Sequence, residues 1–312
     1  RAARNRYNRL LMELWIPLTI AAAFFQNLRS ALQKHLKAHL STGGATYVRF
    51  FYAWPFAVLY VWGLYTFGDF AIPAVNTTFL IYCFMGGLSQ IIFTFLLVWL
   101  FSFRNFAAGT IYSKTETVQV ALLGLLILGD PLSLAAVAAI LISLIGVMAL
   151  SVAGTKITPA SLIASLGEKT TLIGLTCGAF LGSSVVLFRG GALSLGGEGF
   201  IMQAAFTLAV SVVFQTVMMG AYLAVRERGQ LKAVIVHWRP SLSVGVAGAL
   251  ASIGWFTAFT MQNAAYVRAL GQIELIFTFI ASAVFFREKI NRLEFAGILL
   301  VGGGILILLL AG

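Results

Sequence analysis

The sequence predicts an all-α integral membrane protein, with ten transmembrane helices arranged as two inverted five-helix repeats around a central cavity. Of its 312 residues, 60% are hydrophobic and 10% are charged, whereas a soluble domain carries about 25% charged residues. At about 20 apolar residues for each helix, the chain has room for about ten spans. The apolar runs are long and continuous, unlike the alternating strands of a membrane β-barrel.

An internal repeat is the second observation. Residues 105–150 and 263–308 align without a gap at a constant offset of 158. Matched positions pair Asn105 with Asn263, Glu116 with Glu274, Asp130 with Glu288, and Gly146 with Gly304. Each half of the chain then holds five helices. Since five is odd, the second copy must enter the membrane from the opposite face, which predicts an inverted repeat.

The predicted spans follow the apolar runs in chain order. They cover 14–33, 46–66, 77–101, 105–128, 132–152, 171–193, 199–224, 241–261, 263–286 and 292–311. The longest loops are predicted at 153–170 and 225–240. The first of these divides the chain into a five-helix repeat at 14–152, a connecting loop at 153–170 and a second repeat at 171–311.

The net charge of +11 comes from Lys and Arg that lie mostly at the span ends, where they meet lipid headgroups. Nucleic-acid binding is not expected, because no soluble basic face is available for it. The positive-inside rule places the termini outside, whereas the arginines just before the first span indicate the reverse. The side of the termini is therefore left open.

Glu116 and Glu274 are the leading candidate site residues. Of the ten acidic residues, only these two fall near the centre of a predicted span. A carboxylate there costs several kcal/mol unless it is solvated, paired or protonated. One interpretation is a midplane site for substrate or protons. The alternative is a structural carboxylate, bonded to backbone or hydroxyl groups of a neighbouring broken helix.

Two cations accompany these carboxylates, Lys114 in the first copy and Arg268 in the second. Gln272 follows Arg268 by four residues and shares its helix face. A cation and a carboxylate together at the midplane suit a zwitterion or an anion. A buried ion pair that only cancels charge is the alternative.

The remaining candidates are polar and aromatic residues in the spans. A polar stripe on the first span and polar positions in the third and sixth spans predict cavity-lining side chains: Gln26, Ser30, Tyr82, Gln90, Ser183 and Ser184. Four aromatic residues could stack on an aromatic or amphipathic ligand: Trp99, Tyr112, Trp255 and Tyr266. Helix-end anchoring and plain packing are the alternative roles.

No pattern in the sequence indicates catalysis, a metal site or a cofactor. There is no HExxH motif, no pair of intramembrane aspartates and no glycine-rich phosphate loop. Cys83 and Cys177 fall inside apolar spans, which favours two buried thiols over a disulfide or a metal site. An intramembrane enzyme is thus the weaker functional class.

Both copies resemble one known unit. Residues 263–308, with the glycine-rich stretch GILLVGGGIL, look like the closing unit of an EamA domain, and residues 105–150, with Asp130-Pro131, resemble the same unit. The whole chain resembles a ten-helix member of the drug/metabolite transporter superfamily, nearest to the group of the aromatic amino acid exporter YddG.

This resemblance implies alternating access and export of amino acids, including aromatic ones, and related small metabolites from a bacterial cytoplasm through the inner membrane. It implies cytoplasmic termini, in conflict with the charge count. It also assigns Gln26, Tyr82, Gln90, Glu116, Ser183, Trp255 and Glu274 to cavity-lining helices. Another cargo, a lipophilic cation or a nucleotide sugar, is the first alternative, and a passive pore is a further one. Two halves already form a pseudo-dimer, so we expect a monomer.

Overall fold

A computed structural model describes residues 13–36, 38–100, 103, 106–153, 159–197, 199–277, 280 and 291–311. The elements in these ranges are helices: α1 (Trp15–Leu36), α2 (Thr42–Phe51), α3 (Trp54–Phe67), α4 (Thr77–Leu100), α5 (Phe106–Ser113), α6 (Glu116–Leu123), α7 (Leu134–Ala153), α8 (Pro159–Ala164), α9 (Lys169–Ser194), α10 (Phe200–Arg226), α11 (Arg228–Val236), α12 (Trp238–Met261), α13 (Ala264–Gly271) and α14 (Arg292–Ala311). A π-helical turn, Gly124–Leu128, extends α6.

Eight segments of the described chain are long and apolar enough to cross a membrane: Thr42–Phe67, Thr77–Leu97, Ile111–Leu128, Leu134–Ala153, Lys169–Ser194, Phe200–Arg226, Trp238–Met261 and Arg292–Leu310. They match eight of the ten predicted spans. The first span corresponds to α1, a helix of 22 residues that is not among the eight. The span at 263–286 lies partly outside the described residues. The protein is a multi-pass helical membrane protein, and the total of ten spans stays a prediction.

Several predicted elements differ in detail. The second predicted span is two helices, because α3 starts afresh with Pro55 in its first turn, where a proline without an N–H is tolerated. The predicted loop at 225–240 contains α11, and the loop at 153–170 contains α8 and a 3₁₀ turn. The two longest predicted loops therefore contain short helices of six and nine residues.

The repeat predicted from sequence recurs in the helix bounds. Shifting α5 by 158 residues gives the bounds of α13, and shifting α7 gives the bounds of α14. Asp130 is described, but its repeat partner Glu288 lies outside the described residues, as does Asn105.

Helices α7 and α14 pack directly on each other through reciprocal glycine contacts. A Cβ on Gly146 would lie 2.8 Å from the carbonyl oxygen of Gly297, and a Cβ on Gly304 would lie 2.8 Å from that of Ala139. The offset of 158 relates these two contacts to each other. Gly297 also contacts Leu150, whereas Gly304 contacts Ser143. Later residues of α14 therefore meet earlier residues of α7, so the two helices are antiparallel.

The chain groups into two compact units. The first unit is formed by Arg1–Ile91 and Leu187–Gln262, and the second by Ile92–Val186 and Asn263–Gly312. Each unit contains one segment from each half of the sequence. Two of the boundaries between the units fall within α4 and α9. The predicted repeats at 14–152 and 171–311 therefore describe the sequence duplication and differ from the compact units.

Candidate functional site

The second unit contains six polar residues at matched helix breaks, which we call the charged cluster: Lys114, Glu116, Thr117, Arg268, Gln272 and Glu274. The first break separates α5 from α6, and the second follows α13. Both breaks fall at the same repeat position. The cluster is therefore placed by local backbone structure that the two copies share.

Each break is a short tightened turn. The amide of Lys114 donates to the carbonyl of Ile111 at 3.1 Å, and the amide of Gln272 donates to that of Ala269 at 3.2 Å. These bonds span three residues instead of the four of a regular α-helix. Such a turn redirects the side chains that follow it, so Glu116 and Glu274 leave the regular helical spacing at equivalent points.

Side chains support the first turn. The hydroxyl of Thr115 donates to the carbonyl of Tyr112 at 2.7 Å, and Gln119 Nε2 donates to Thr115 Oγ1 at 2.8 Å. The same Gln119 group contacts the carbonyl of Leu175 on α9 at 3.3 Å. These contacts satisfy polar groups that a broken helix exposes inside the membrane.

Glu116 and Arg268 form a buried ion pair. Arg268 Nη2 donates to Glu116 Oε1, and the two residues are 6% and 4% exposed. Removing one partner from such a pair leaves an uncompensated buried charge, at a cost of about 3–5 kcal/mol. The pair therefore holds α6 and α13 together only as long as both charges are present.

The second ion pair is looser. Lys114 Nζ lies 3.6 Å from Glu274 Oε1, and the two side chains are 26% and 12% exposed. Gln272 Nε2 donates to Thr117 Oγ1 at 3.1 Å. Within the described part of the chain, the buried Oε1 of Gln272 has no hydrogen-bond partner. The cluster thus contains one tight ion pair, one loose ion pair and the Gln272 Oε1 atom, which can accept a further hydrogen bond.

The cluster crosses between the two sequence copies. Lys114 of the first copy reaches Glu274 of the second. Gln272, which occupies the repeat position of Lys114, reaches Thr117, the neighbour of Glu116. The two contacts start from equivalent positions of the repeat, and their targets differ by one residue.

Two further predicted residues meet in the first unit, where Trp255 Nε1 donates to Gln26 Oε1 at 3.1 Å. Gln90 Oε1 accepts a bond of 2.6 Å from Gln215 Nε2. These contacts connect α1 with α12 and α4 with α10. Polar side chains of these helices thus pair with one another inside the unit, and a cavity-lining role for them stays a prediction.

The other predicted residues lie apart from these contacts. Ser30 and Ser184 donate to carbonyls of their own helices, those of Gln26 and Leu181, each at 2.8 Å. Tyr112 packs in an apolar cluster with Ile111 and Val152. Trp99 is 39% exposed.

The ammonium of Lys169 lies 5.2 Å from the ring centroid of Trp99. Tyr82, Ser183 and Tyr266 are partly buried. Their part in a site stays a prediction.

Sequence reasoning missed Thr117 and Gln215, which complete the contacts of Gln272 and Gln90. Gln215 is 3% exposed in the middle of an apolar helix, and that placement was the available signal. Thr117 had none, because threonine is common in membrane helices. In the described residues, no group of three or more His, Cys, Asp or Glu could hold a metal ion.

Comparison with known proteins finds a family model that is similar to the second half of the chain. Residues 169–310 match the model of the EamA-like transporter family, which is less than half of the chain. One crystal structure, described only as that of a protein, has a TM-score of 0.70 to this chain at 13% identity, and the match covers 96% of this chain and 97% of that one. This likeness shows a shared fold. No curated protein matches.

The family match covers α9 to α14, including Arg268, Gln272 and Glu274 of the charged cluster. The matching family is one of transporters, and eight helices of the described chain are long and apolar enough to cross a membrane.

Proposed function

We propose that the protein exports amino acids, including aromatic ones, from the cytoplasm through the inner membrane by alternating access. The observation that carries the proposal is the charged cluster, in which two carboxylates and two cations meet at repeated helix breaks. Buried charges within membrane helices mark substrate or ion pathways more often than they mark packing.

The cluster matches the chemistry of a zwitterion. An amino acid carries one ammonium and one carboxylate, and the loose pair offers one group of each sign, Glu274 and Lys114. Their separation of 3.6 Å and partial exposure make this pair easier to open than the Glu116–Arg268 pair. A substrate that replaces both partners would leave no charge unpaired, so its entry avoids the cost of a buried unpaired ion.

We propose that the two sequence copies form an inverted repeat. Three observations support this: the helix bounds that recur at an offset of 158, the reciprocal glycine contacts, and the opposite directions of α7 and α14. A pseudo-two-fold axis that relates antiparallel helices lies in the membrane plane, as in transporters built from inverted repeats. The division at 153–170 follows from the same duplication.

Uptake of labelled amino acids into proteoliposomes tests the function. We expect saturable transport of phenylalanine and other neutral amino acids by the wild-type protein. Lys114→Gln and Glu274→Gln should each lower the rate by about 10-fold, the effect of losing one charged hydrogen bond to the substrate. Lys232→Gln, which removes an exposed cation of α11, serves as the matched control and should leave the rate unchanged.

Other cargos give other results in the same assay. Transport of lipophilic cations or nucleotide sugars without transport of any amino acid would contradict the proposed substrate class. A flux that rises linearly with concentration and never saturates would indicate a passive pore and contradict alternating access.

A further inference from the structure

A small cavity inside the first unit is separate from the charged cluster. Its volume is about 20 Å³, and it lies among α2, α3, α4, α10 and α12. The polar residues in its lining are Arg49, Gln90, Gln215 and Ser252, and the remaining lining residues are apolar. About 10–15 Å³ of such space suffices for one water molecule. The cavity therefore has room for one small ion and is too small for an amino acid.

The charge around this cavity is positive. Arg49 lines it, and none of the lining residues is acidic. The guanidinium of Arg49 lies 5.4 Å from the ring centroid of Phe50. Among the residues that the structure describes, no carboxylate pairs with Arg49. A cation in apolar surroundings is costly without a counter-charge.

A second arginine adds to this positive potential. Arg29 of α1 is 8% exposed. A Cβ on Gly248 would lie 3.4 Å from Arg29 Cδ and 3.9 Å from the carbonyl oxygen of Arg49, so the side chain of Arg29 and the backbone of Arg49 approach the same point of α12. Gly248 precedes Ala249, which lines the cavity. A second buried cation beside this lining adds to the positive potential, which favours a bound anion.

The polar lining also offers neutral donors. Gln90 and Gln215 are joined by a bond of 2.6 Å between Gln215 Nε2 and Gln90 Oε1, and the hydroxyl of Ser252 is a further donor. These groups are suited to an anion. Arginine is a donor only, and the serine hydroxyl and the amide groups can also turn an N–H or O–H toward the ion.

We propose that this cavity binds one small monovalent inorganic anion of the chloride class. The bound ion neutralises Arg49 and holds α2, α4, α10 and α12 together. The proposal does not depend on the transported substrate, because the cavity, its lining and its charge belong to the first unit alone.

Thermal unfolding in detergent tests the proposal, with sodium chloride exchanged stepwise for sodium gluconate at constant ionic strength. An ion that binds only the folded state raises the apparent Tm with saturation. We expect this rise for the wild-type protein. Arg49→Gln should raise the Kd for chloride by at least ~10-fold, since it removes a charged hydrogen bond. Arg239→Gln, an exposed cation on the same unit, should respond like the wild type.

Ser252→Ala keeps every charge and provides a second variant in case Arg49→Gln does not fold. It should weaken chloride binding by about 3–10-fold, as expected for one lost hydrogen bond. Crystals grown in bromide should show anomalous density beside Arg49. The proposal would be overturned if the wild type had equal Tm values in chloride and gluconate, or if both variants responded to chloride like the wild type. Bromide density found only at sites away from Arg49 would also overturn it.

Discussion

The two sequence copies are alike where α7 packs on α14 and differ at the charged cluster. A Cβ added to Gly146 or to Gly304 would lie 2.8 Å from a carbonyl oxygen of the facing helix in both cases. At the helix breaks the backbone repeats but the side chains do not, since Lys114 occupies the position of Gln272. A close contact between helix backbones tolerates few residue types, whereas the side chains at the helix breaks can differ between the copies. The comparison indicates a symmetric frame that carries an asymmetric polar site.

The largest expected effect comes from breaking the tight ion pair. Arg268→Gln leaves Glu116 buried without its cation, and we expect a loss of about 3–5 kcal/mol in unfolding free energy. Thermal unfolding in detergent measures it as a lower apparent Tm. The double variant Glu116→Gln/Arg268→Gln removes both charges and should recover most of the loss. An Arg268→Gln protein as stable as the wild type would show that the pair contributes nothing.

Added methyl groups at the matched glycines should have the next largest effect. Gly146→Ala and Gly304→Ala each place a Cβ within 3 Å of backbone atoms of the facing helix, at a cost of about 1–3 kcal/mol for an overpacked contact. The symmetric frame predicts equal losses in both variants, measured by the same unfolding assay.

Gly303→Ala is the matched control on α14. A Cβ there meets nothing within 4 Å, so the variant should be neutral or more stable by up to about 1 kcal/mol through helix propensity. Unequal losses at Gly146 and Gly304 would argue against a two-fold relation between the copies.

Lys114→Gln makes the first copy like the second at its helix break. The pair with Glu274 is partly exposed at 3.6 Å, so we expect a stability loss of roughly 1 kcal/mol or less. The variant should therefore show only a small decrease in Tm but a large loss of amino acid uptake. A variant that keeps its flux would show that the asymmetry is incidental.

The smallest effect is expected from a proton gradient. Each carboxylate of the cluster already has a cationic partner, and neutralising the carboxylate would leave that cation without a counter-charge. Uptake into liposomes with and without a pH gradient should proceed at equal rates. A several-fold difference would mean that Glu116 or Glu274 exchanges a proton during transport.

The sequence predicts most of this architecture, because a membrane helix depends on a long apolar run and a duplication is visible as a constant offset. It also singled out Glu116, Arg268 and Glu274, since a charge within such a run is rare. It did not show which charges pair. That depends on the tightened turns at Lys114 and Gln272, which redirect side chains away from regular helical spacing.

Other features were beyond the sequence for physical reasons. The small helices α8 and α11 lie outside the long apolar runs, so hydropathy did not predict them. The cavity beside Arg49 depends on five helices packing around one point. Arg49 lies within a predicted span, and its neighbours Gln215 and Ser252 follow it in sequence by more than 150 residues.

The most direct test of the proposed role of the charged cluster is amino acid flux through the Lys114→Gln/Glu274→Gln protein in liposomes. This variant removes both charges of the loose pair, which is partly exposed, and keeps the fold close to the wild type in stability. The account predicts a flux at least ~10-fold below that of the wild type, because charged groups at the break bind substrate. A stable double variant with wild-type flux would contradict it and assign the pair to structure alone.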